Sequence, residues 1–210
     1  VIALGEYGAF CALGDITALA GSGDEEMQQA VLFALAEIAD PSSLKILEDA
    51  ANAANYKKEN TRAASSFVRY AERLAENGEL ELSEKICRSL IKKAIGPGQV
   101  TYGYTAMSIM VDHMGYEILP DLLKGFDSSD KESRGAMLRF ASQITDIAAT
   151  REWMEKYEEV GPEQKQELIS FFRKRGDMTV VPLLKGELES SDPVVKIAAL
   201  DALAYLVGPD

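Results

Sequence analysis

Residues 33–39 read Phe-Ala-Leu-Ala-Glu-Ile-Ala, and residues 2–8 read Ile-Ala-Leu-Gly-Glu-Tyr-Gly. The two stretches share one pattern displaced by 31 residues, because 33 − 2 = 31. An apolar helix is predicted to begin after each copy, with Leu13 following the first and Leu44 following the second, again 31 residues apart. This spacing indicates that the chain repeats one supersecondary unit.

Three later helix starts carry a common signal. Each begins with a short polar or acidic stretch and continues into apolar residues at helical spacing, at Asp24, Asp130 and Asp192. A side chain of this kind accepts the amide protons that the first helical turn leaves unpaired. Pro193 suits the first helical position because it has no amide proton to satisfy there. The shared register after these starts favours true repeats over a coincidence among turn sequences.

The apolar periodicity predicts an all-α chain of about six stacked antiparallel helix pairs. The predicted pairs span about 10–39, 42–76, 80–114, 116–145, 149–175 and 178–207. Within them the second helices are predicted at about 25–39, 58–76, 99–114, 131–145, 162–175 and 193–207. Gly96-Pro97-Gly98 is predicted as the turn inside the third pair. Residues 1–8 are predicted to be the tail of a preceding repeat, so we expect the natural protein to extend upstream.

Alternating helices of this length, with Leu-x-x-Leu or a similar pattern on the first and an Ala-Leu-x-x-Ile-like ending on the second, resemble HEAT repeats. The resemblance covers essentially the whole chain. Tetratricopeptide repeats are the nearest alternative, but their Trp-x-x-Leu-Gly and Pro landmarks do not recur, and Trp153 is the only tryptophan. The HEAT resemblance implies a right-handed α-α superhelix, an α-solenoid, forming a single repeat domain over 1–210. Stacking is expected because one helix pair cannot cover its own apolar face.

The charge balance limits the classes of partner. The chain has 22 basic and 34 acidic residues and a formal net charge of −12. Nucleic-acid binding gains affinity by neutralising phosphates, so this charge argues against a nucleic-acid partner, and it also argues against docking on anionic lipid. No apolar run reaches the roughly 20 residues that span a bilayer, so we predict no membrane insertion. The cellular compartment is left open.

The sequence lacks a constellation for catalysis, cofactor binding or metal binding. The single histidine, His113, cannot form a zinc-hydrolase helix, which needs two histidines one turn apart. In the repeat register His113 is predicted to be a partly buried packing residue. Cys11 and Cys87 are predicted to be small core residues. Trp153, Met154 and Tyr157 are predicted to face the core from one side of a helix. We therefore predict no catalytic residue, no cofactor and no metal.

One predicted surface goes beyond packing. In HEAT-like stacks the second helix of each pair lines the concave face, where ligands bind. Two positions one turn apart on each second helix, off the apolar stripe, place arginine or lysine on three of the six helices. The partner-binding residues predicted in this way are Phe33, Arg69, Arg73, Arg139, Gln143, Lys174 and Tyr205.

Arginine is suited to this surface because its planar fork matches carboxylates and phosphates. We expect the stripe centred on Arg69, Arg73 and Arg139 to accept an extended acidic or mixed-charge peptide, or another domain of the same polypeptide. The alternative is a solvated face on which Arg69 and Arg139 pair with Asp112. Exposed pairs of that kind contribute only about 0–1 kcal/mol each.

These observations predict a non-catalytic scaffold for protein–protein or domain–domain interactions. Two alternatives stay open. The chain is an accessory repeat domain of a larger enzyme, or it is itself an enzyme on a HEAT-like fold, such as a DNA glycosylase. The glycosylase alternative requires a basic groove, which a net charge of −12 disfavours.

Overall fold

The computed structural model describes residues 1–94 and 99–208. Among these residues there are helices and turns but no β-strand, so the prediction of an all-α chain is confirmed. The predicted turn at Gly96-Pro97-Gly98 lies outside the described residues. The chain divides into two compact units, which we call unit 1 (Val1–His113) and unit 2 (Met114–Asp210).

The helices lie close to their predicted positions. The first part of the chain forms α1 (Ile2–Glu6), α2 (Leu13–Ala18), α3 (Glu25–Ile38), α4 (Leu44–Ala53), α5 (Ala63–Glu76), α6 (Leu80–Lys93) and α7 (Val100–Met114). The second part forms α8 (Leu119–Gly125), α9 (Lys131–Ala141), α10 (Ile147–Glu159), α11 (Pro162–Arg175), α12 (Val181–Gly186) and α13 (Pro193–Val207). The largest error concerns α5, which was predicted to begin at about 58 and begins at Ala63.

Side-chain caps fix several of these helix starts. The carboxylates of Asp24, Asp130 and Asp192 each accept a hydrogen bond, 2.7–2.9 Å long, from an amide two or three residues further on. Pro193 occupies the first turn of α13, as predicted. Gly78, with a φ of 88°, follows α5 in the left-handed region, where glycine has no steric cost. The predicted capping residues are therefore confirmed.

Some of the predicted second helices pack against one another within each unit. In unit 1, α3 lies between α1 and α5, and in unit 2, α11 lies between α9 and α13. The approach of α1 to α3 depends on Gly5, because a Cβ added there would lie 2.5 Å from the Cα of Ala34. Because α3 also packs against α5, side chains of α1, α3 and α5 share one surface of unit 1.

An aromatic cluster fills the core of unit 2. Trp153 and Tyr157 are fully buried on α10, as predicted, whereas Met154 is only half-buried. The ring of Phe126 meets Trp153 edge-on at a centroid distance of 5.5 Å, and the tilted ring of Phe171 on α11 also has its centroid 5.5 Å from that of Trp153. Rings in these arrangements add attraction beyond the apolar area that they bury.

Candidate functional site

Unit 1 carries an open groove of about 660 Å³ on the surface formed by α1, α3 and α5. We call it the α3–α5 groove. Its lining combines apolar, polar and charged side chains: Ile2, Glu6, Gln29, Phe33, Glu37, Arg62, Ser65, Ser66, Arg69 and Arg73. Three of the residues predicted from the sequence, Phe33, Arg69 and Arg73, therefore lie on one surface.

Glu37 joins the two predicted arginines of the groove. Its Oε1 accepts a hydrogen bond from Nε of Arg69 at 2.7 Å. Its Oε2 accepts from both Nε and Nη2 of Arg73, at 2.9 and 2.6 Å. The Glu37 side chain is only 6% exposed, whereas those of Arg69 and Arg73 are 39% and 34% exposed. The carboxylate thus forms the floor of the cluster, and the guanidinium groups form its rim.

Both guanidinium groups have a second carboxylate partner. Nη1 of Arg69 donates to Glu72 at 2.7 Å, and Nη1 of Arg73 donates to Glu76 at 2.6 Å. Two guanidinium groups and three carboxylates give this cluster a formal net charge of −1. Arg69 therefore pairs with Glu37 and Glu72 rather than with Asp112, so the suggested Asp112 pairing is wrong for Arg69.

Opposing effects act on the pKa of Glu37. Burial raises the pKa of this carboxyl, but the hydrogen bonds and positive charges of Arg69 and Arg73 outweigh burial and lower the pKa below its usual value of 4.5. The hydrogen bond to Glu37 in turn raises the pKa of Arg69. Glu37, Arg69 and Arg73 are therefore all ionised at neutral pH.

We expect Glu37→Gln to lower the unfolding free energy of unit 1 at pH 7 by about 1–2 kcal/mol, a value discounted for the partly exposed arginines. Because the folded pKa of Glu37 is depressed, its contribution is complete above about pH 4.5 and is lost as the pH falls through the folded pKa. Urea unfolding followed by circular dichroism should show the wild-type advantage shrinking below pH 4.5. Glu76→Gln, at an exposed partner, is the control with a smaller effect. An advantage that stayed constant from pH 7 to pH 3 would contradict this assignment.

The other predicted site residues lie in unit 2. Arg139 on α9 and Gln143 just after it are exposed, as are Lys174 on α11 and Tyr205 on α13. The ring of Tyr205 is covered by the guanidinium of Arg173, 4.9 Å from its centroid, rather than by the neighbouring Lys174. Unit 2 has its own smaller groove, of about 270 Å³, lined by Gln166, Ile169, Ser170, Arg173, Val194, Ile197, Ala198, Asp201 and Ala202. Its lining includes none of the predicted residues.

Several groove residues were missed from the sequence. The 31-residue displacement places Ile2 at the position of Phe33 and Glu6 at the position of Glu37, so the repeat register was sufficient to predict both. Arg62 was placed inside a helix by the prediction, whereas it precedes α5 in a left-handed conformation, with a φ of 55°. No periodicity signal marks such a residue.

Two predictions about the rarer residues are corrected. His113 is exposed rather than partly buried. Cys11 is also exposed, whereas Cys87 is buried as predicted, and burial raises the pKa of the Cys87 thiol to about 12. The burial predicted for His113 from the repeat register is wrong because Met110 and Val111 occupy the buried positions near the end of α7.

Neither a metal-ligand cluster nor a membrane helix emerges within residues 1–94 and 99–208. No three His, Cys, Asp or Glu side chains of that part converge as metal ligands. Nor does any of its helices combine the length and apolar character needed to cross a membrane.

No protein-family model and no curated protein sequence matches this chain.

Proposed function

We propose that this chain is a non-catalytic interaction module that binds an extended peptide segment of a partner protein in the α3–α5 groove. The observation that carries the proposal is the combination, on one open surface, of apolar side chains from α1 and α3 with charged side chains from α5. Specific recognition sites typically join apolar contact area to a few placed polar groups in this way.

The proposed architecture is a HEAT-like α-solenoid, with the helix pairs stacked in a right-handed α-α superhelix over 1–210. Two observations support it. In unit 1 α3 packs against α1 and α5, and in unit 2 α11 packs against α9 and α13. The starts of α9, α11 and α13, at residues 131, 162 and 193, follow the 31-residue spacing of the sequence. On such a scaffold the ligand is a segment of another protein or of another domain of the same polypeptide.

The ion pairs of Arg69 and Arg73 make these arginines poor partners for an acidic ligand, contrary to the expectation from the sequence. Arg69 and Arg73 are already matched by Glu37, Glu72 and Glu76, so the cluster offers little unpaired positive charge to an acidic peptide. In our proposal, the ion pairs of Glu37 with Arg69 and Arg73 hold α3 against α5 and form part of the groove lining. The main binding contribution then comes from apolar contacts with Ile2 and Phe33, which the ligand shields from water.

A peptide-display selection tests this proposal. A library of random peptides fused to the amino terminus of a phage coat protein is selected on the immobilised wild-type chain, and the enriched peptides are then measured on Phe33→Ser. Losing a buried aromatic contact costs about 1.5–3 kcal/mol, so we expect Kd to rise at least about tenfold.

Phe10→Ser is the matched control, because Phe10 is 58% exposed and does not line the groove. Circular dichroism checks that both variants keep their helical content. If every enriched peptide bound wild type and Phe33→Ser equally well, the groove would not be the binding surface and the proposal would be wrong.

A further inference from the structure

Arg62 differs from the other arginines of the α3–α5 groove. Its side chain lines the groove and is exposed, yet within residues 1–94 and 99–208 no hydrogen bond or ion pair engages its guanidinium. Arg69 and Arg73, in contrast, each pair with two carboxylates. Arg62 is therefore the groove cation whose charge is available to a ligand.

The connection before α5 holds Arg62 in place. Its φ of 55° and ψ of 31° lie in the left-handed region, which is uncommon for a residue other than glycine, asparagine or aspartate. The carboxylate of Glu59 accepts hydrogen bonds from the amides on either side, Thr61 at 2.6 Å and Ala63 at 2.7 Å. The carbonyl of Arg62 accepts the amide of Ser66 at 2.9 Å. The fold thus fixes the backbone from which this side chain reaches the groove.

Arg62 lies apart in sequence from the paired arginines but shares one cavity with them and with apolar side chains. Arg62 directly precedes α5, and Arg69 lies seven residues further on, about two helical turns, which corresponds to a rise on the order of 10 Å. The charged side chains of Glu6, Glu37, Arg69 and Arg73 line the same cavity as Arg62, together with the apolar side chains of Ile2 and Phe33. A ligand complementary to this distribution presents a large apolar side chain and, beside it, a negative charge for Arg62.

We infer that Arg62 is a specificity-determining residue that binds the side-chain carboxylate of an aspartate or glutamate in the peptide ligand. A large apolar side chain within about three residues of that carboxylate packs on Ile2 and Phe33, because all three groove residues line one cavity of about 660 Å³. A cavity of that volume is on the order of 10 Å across, which three extended residues span. This inference rests on the proposed function, and it replaces Arg69 and Arg73 by Arg62 as the ligand's charge partner. Guanidinium–carboxylate pairs suit this role because two parallel hydrogen bonds fix the geometry.

The test repeats the display selection on wild type and on Arg62→Asn. Asparagine tolerates the left-handed region, so this variant removes the charge and keeps the backbone. Peptides are displayed without a free carboxyl terminus, so that acidic side chains are the only carboxylates offered by the random segment. On wild type we expect enrichment of Asp or Glu within three residues of a large apolar residue. On Arg62→Asn the apolar preference remains, the acidic preference disappears, and wild-type-selected peptides bind at least about tenfold more weakly.

Two further variants sharpen the comparison. Arg62→Lys keeps a positive charge and should keep the acidic preference. Lys58→Asn removes a cation from the same connection but outside the groove, and should behave as wild type. An acidic preference that survives in Arg62→Asn, or that is missing on wild type although peptides still require Phe33, overturns this inference and leaves the proposed function standing. Peptides that are indifferent to Phe33→Ser overturn both.

Discussion

Arg134→Met should lower the unfolding free energy of unit 2 by about 3–5 kcal/mol, because it leaves a buried carboxylate without its partner. The Arg134 side chain is only 5% exposed, and that of Glu167 on α11 is 14% exposed. Nε and Nη2 of Arg134 each donate to Glu167 at 2.8 Å, and Nη2 also donates to Glu163 at 3.0 Å. Nη1 donates to the carbonyls of Ser128 and Ser129, both at 3.1 Å. One side chain therefore ties α9 to α11 and to the preceding turn.

Urea unfolding followed by Trp153 fluorescence measures this effect, since the only tryptophan lies in the core of unit 2. Arg139→Met is the matched control, because it makes the same change at an exposed position on α9 and should shift stability by less than about 0.5 kcal/mol. The double variant Arg134→Met with Glu167→Leu should recover part of the loss, since it removes the unpaired carboxylate as well. Equal unfolding midpoints for the two single variants would contradict the role given to Arg134.

Phe126→Ala should cost unit 2 about 3–5 kcal/mol, the usual range for deleting a buried aromatic side chain. Phe126 is fully buried after α8, and its ring meets Trp153 edge-on. The substitution leaves a cavity beside Trp153 that the surrounding helices fill only partly. Its effect is measured by the same fluorescence-detected urea unfolding.

Phe10→Ala is the control for this second prediction, because it makes the identical change at a side chain that is 58% exposed. We expect it to leave the unfolding of unit 2 unchanged within about 0.5 kcal/mol. A Phe126→Ala variant as stable as Phe10→Ala would show that the aromatic cluster does not support unit 2.

Apolar periodicity and capping residues predicted the helices well. Asp24, Asp130 and Asp192 cap helices as expected, because a carboxylate before an apolar run satisfies amides in almost any context. The predicted start of α5 is wrong because a side-chain hydrogen bond, rather than apolar periodicity, determines where this helix begins. Glu59 accepts the amides of Thr61 and Ala63, and this competes with helix formation through a contact that leaves no periodic signal.

The groove was only partly predictable. Phe33, Arg69 and Arg73 follow from the repeat register, but their pairing with Glu37 depends on how closely α3 and α5 pack, which the register does not specify. Arg134 was overlooked for a related reason. A charged side chain is expected at the surface, and the burial of Arg134 depends on meeting Glu167 of another helix as well as two carbonyls of the preceding turn.

Hydrogen–deuterium exchange of the chain, alone and with a peptide enriched by the display selection, tests most directly whether the α3–α5 groove is the ligand-binding surface. If the peptide binds there, we expect slower exchange in α3 and α5, at Glu25–Ile38 and Ala63–Glu76, and unchanged exchange in α9 to α13. Protection confined to unit 2, or no protection of α3 and α5 at a peptide concentration that saturates binding, would contradict this expectation.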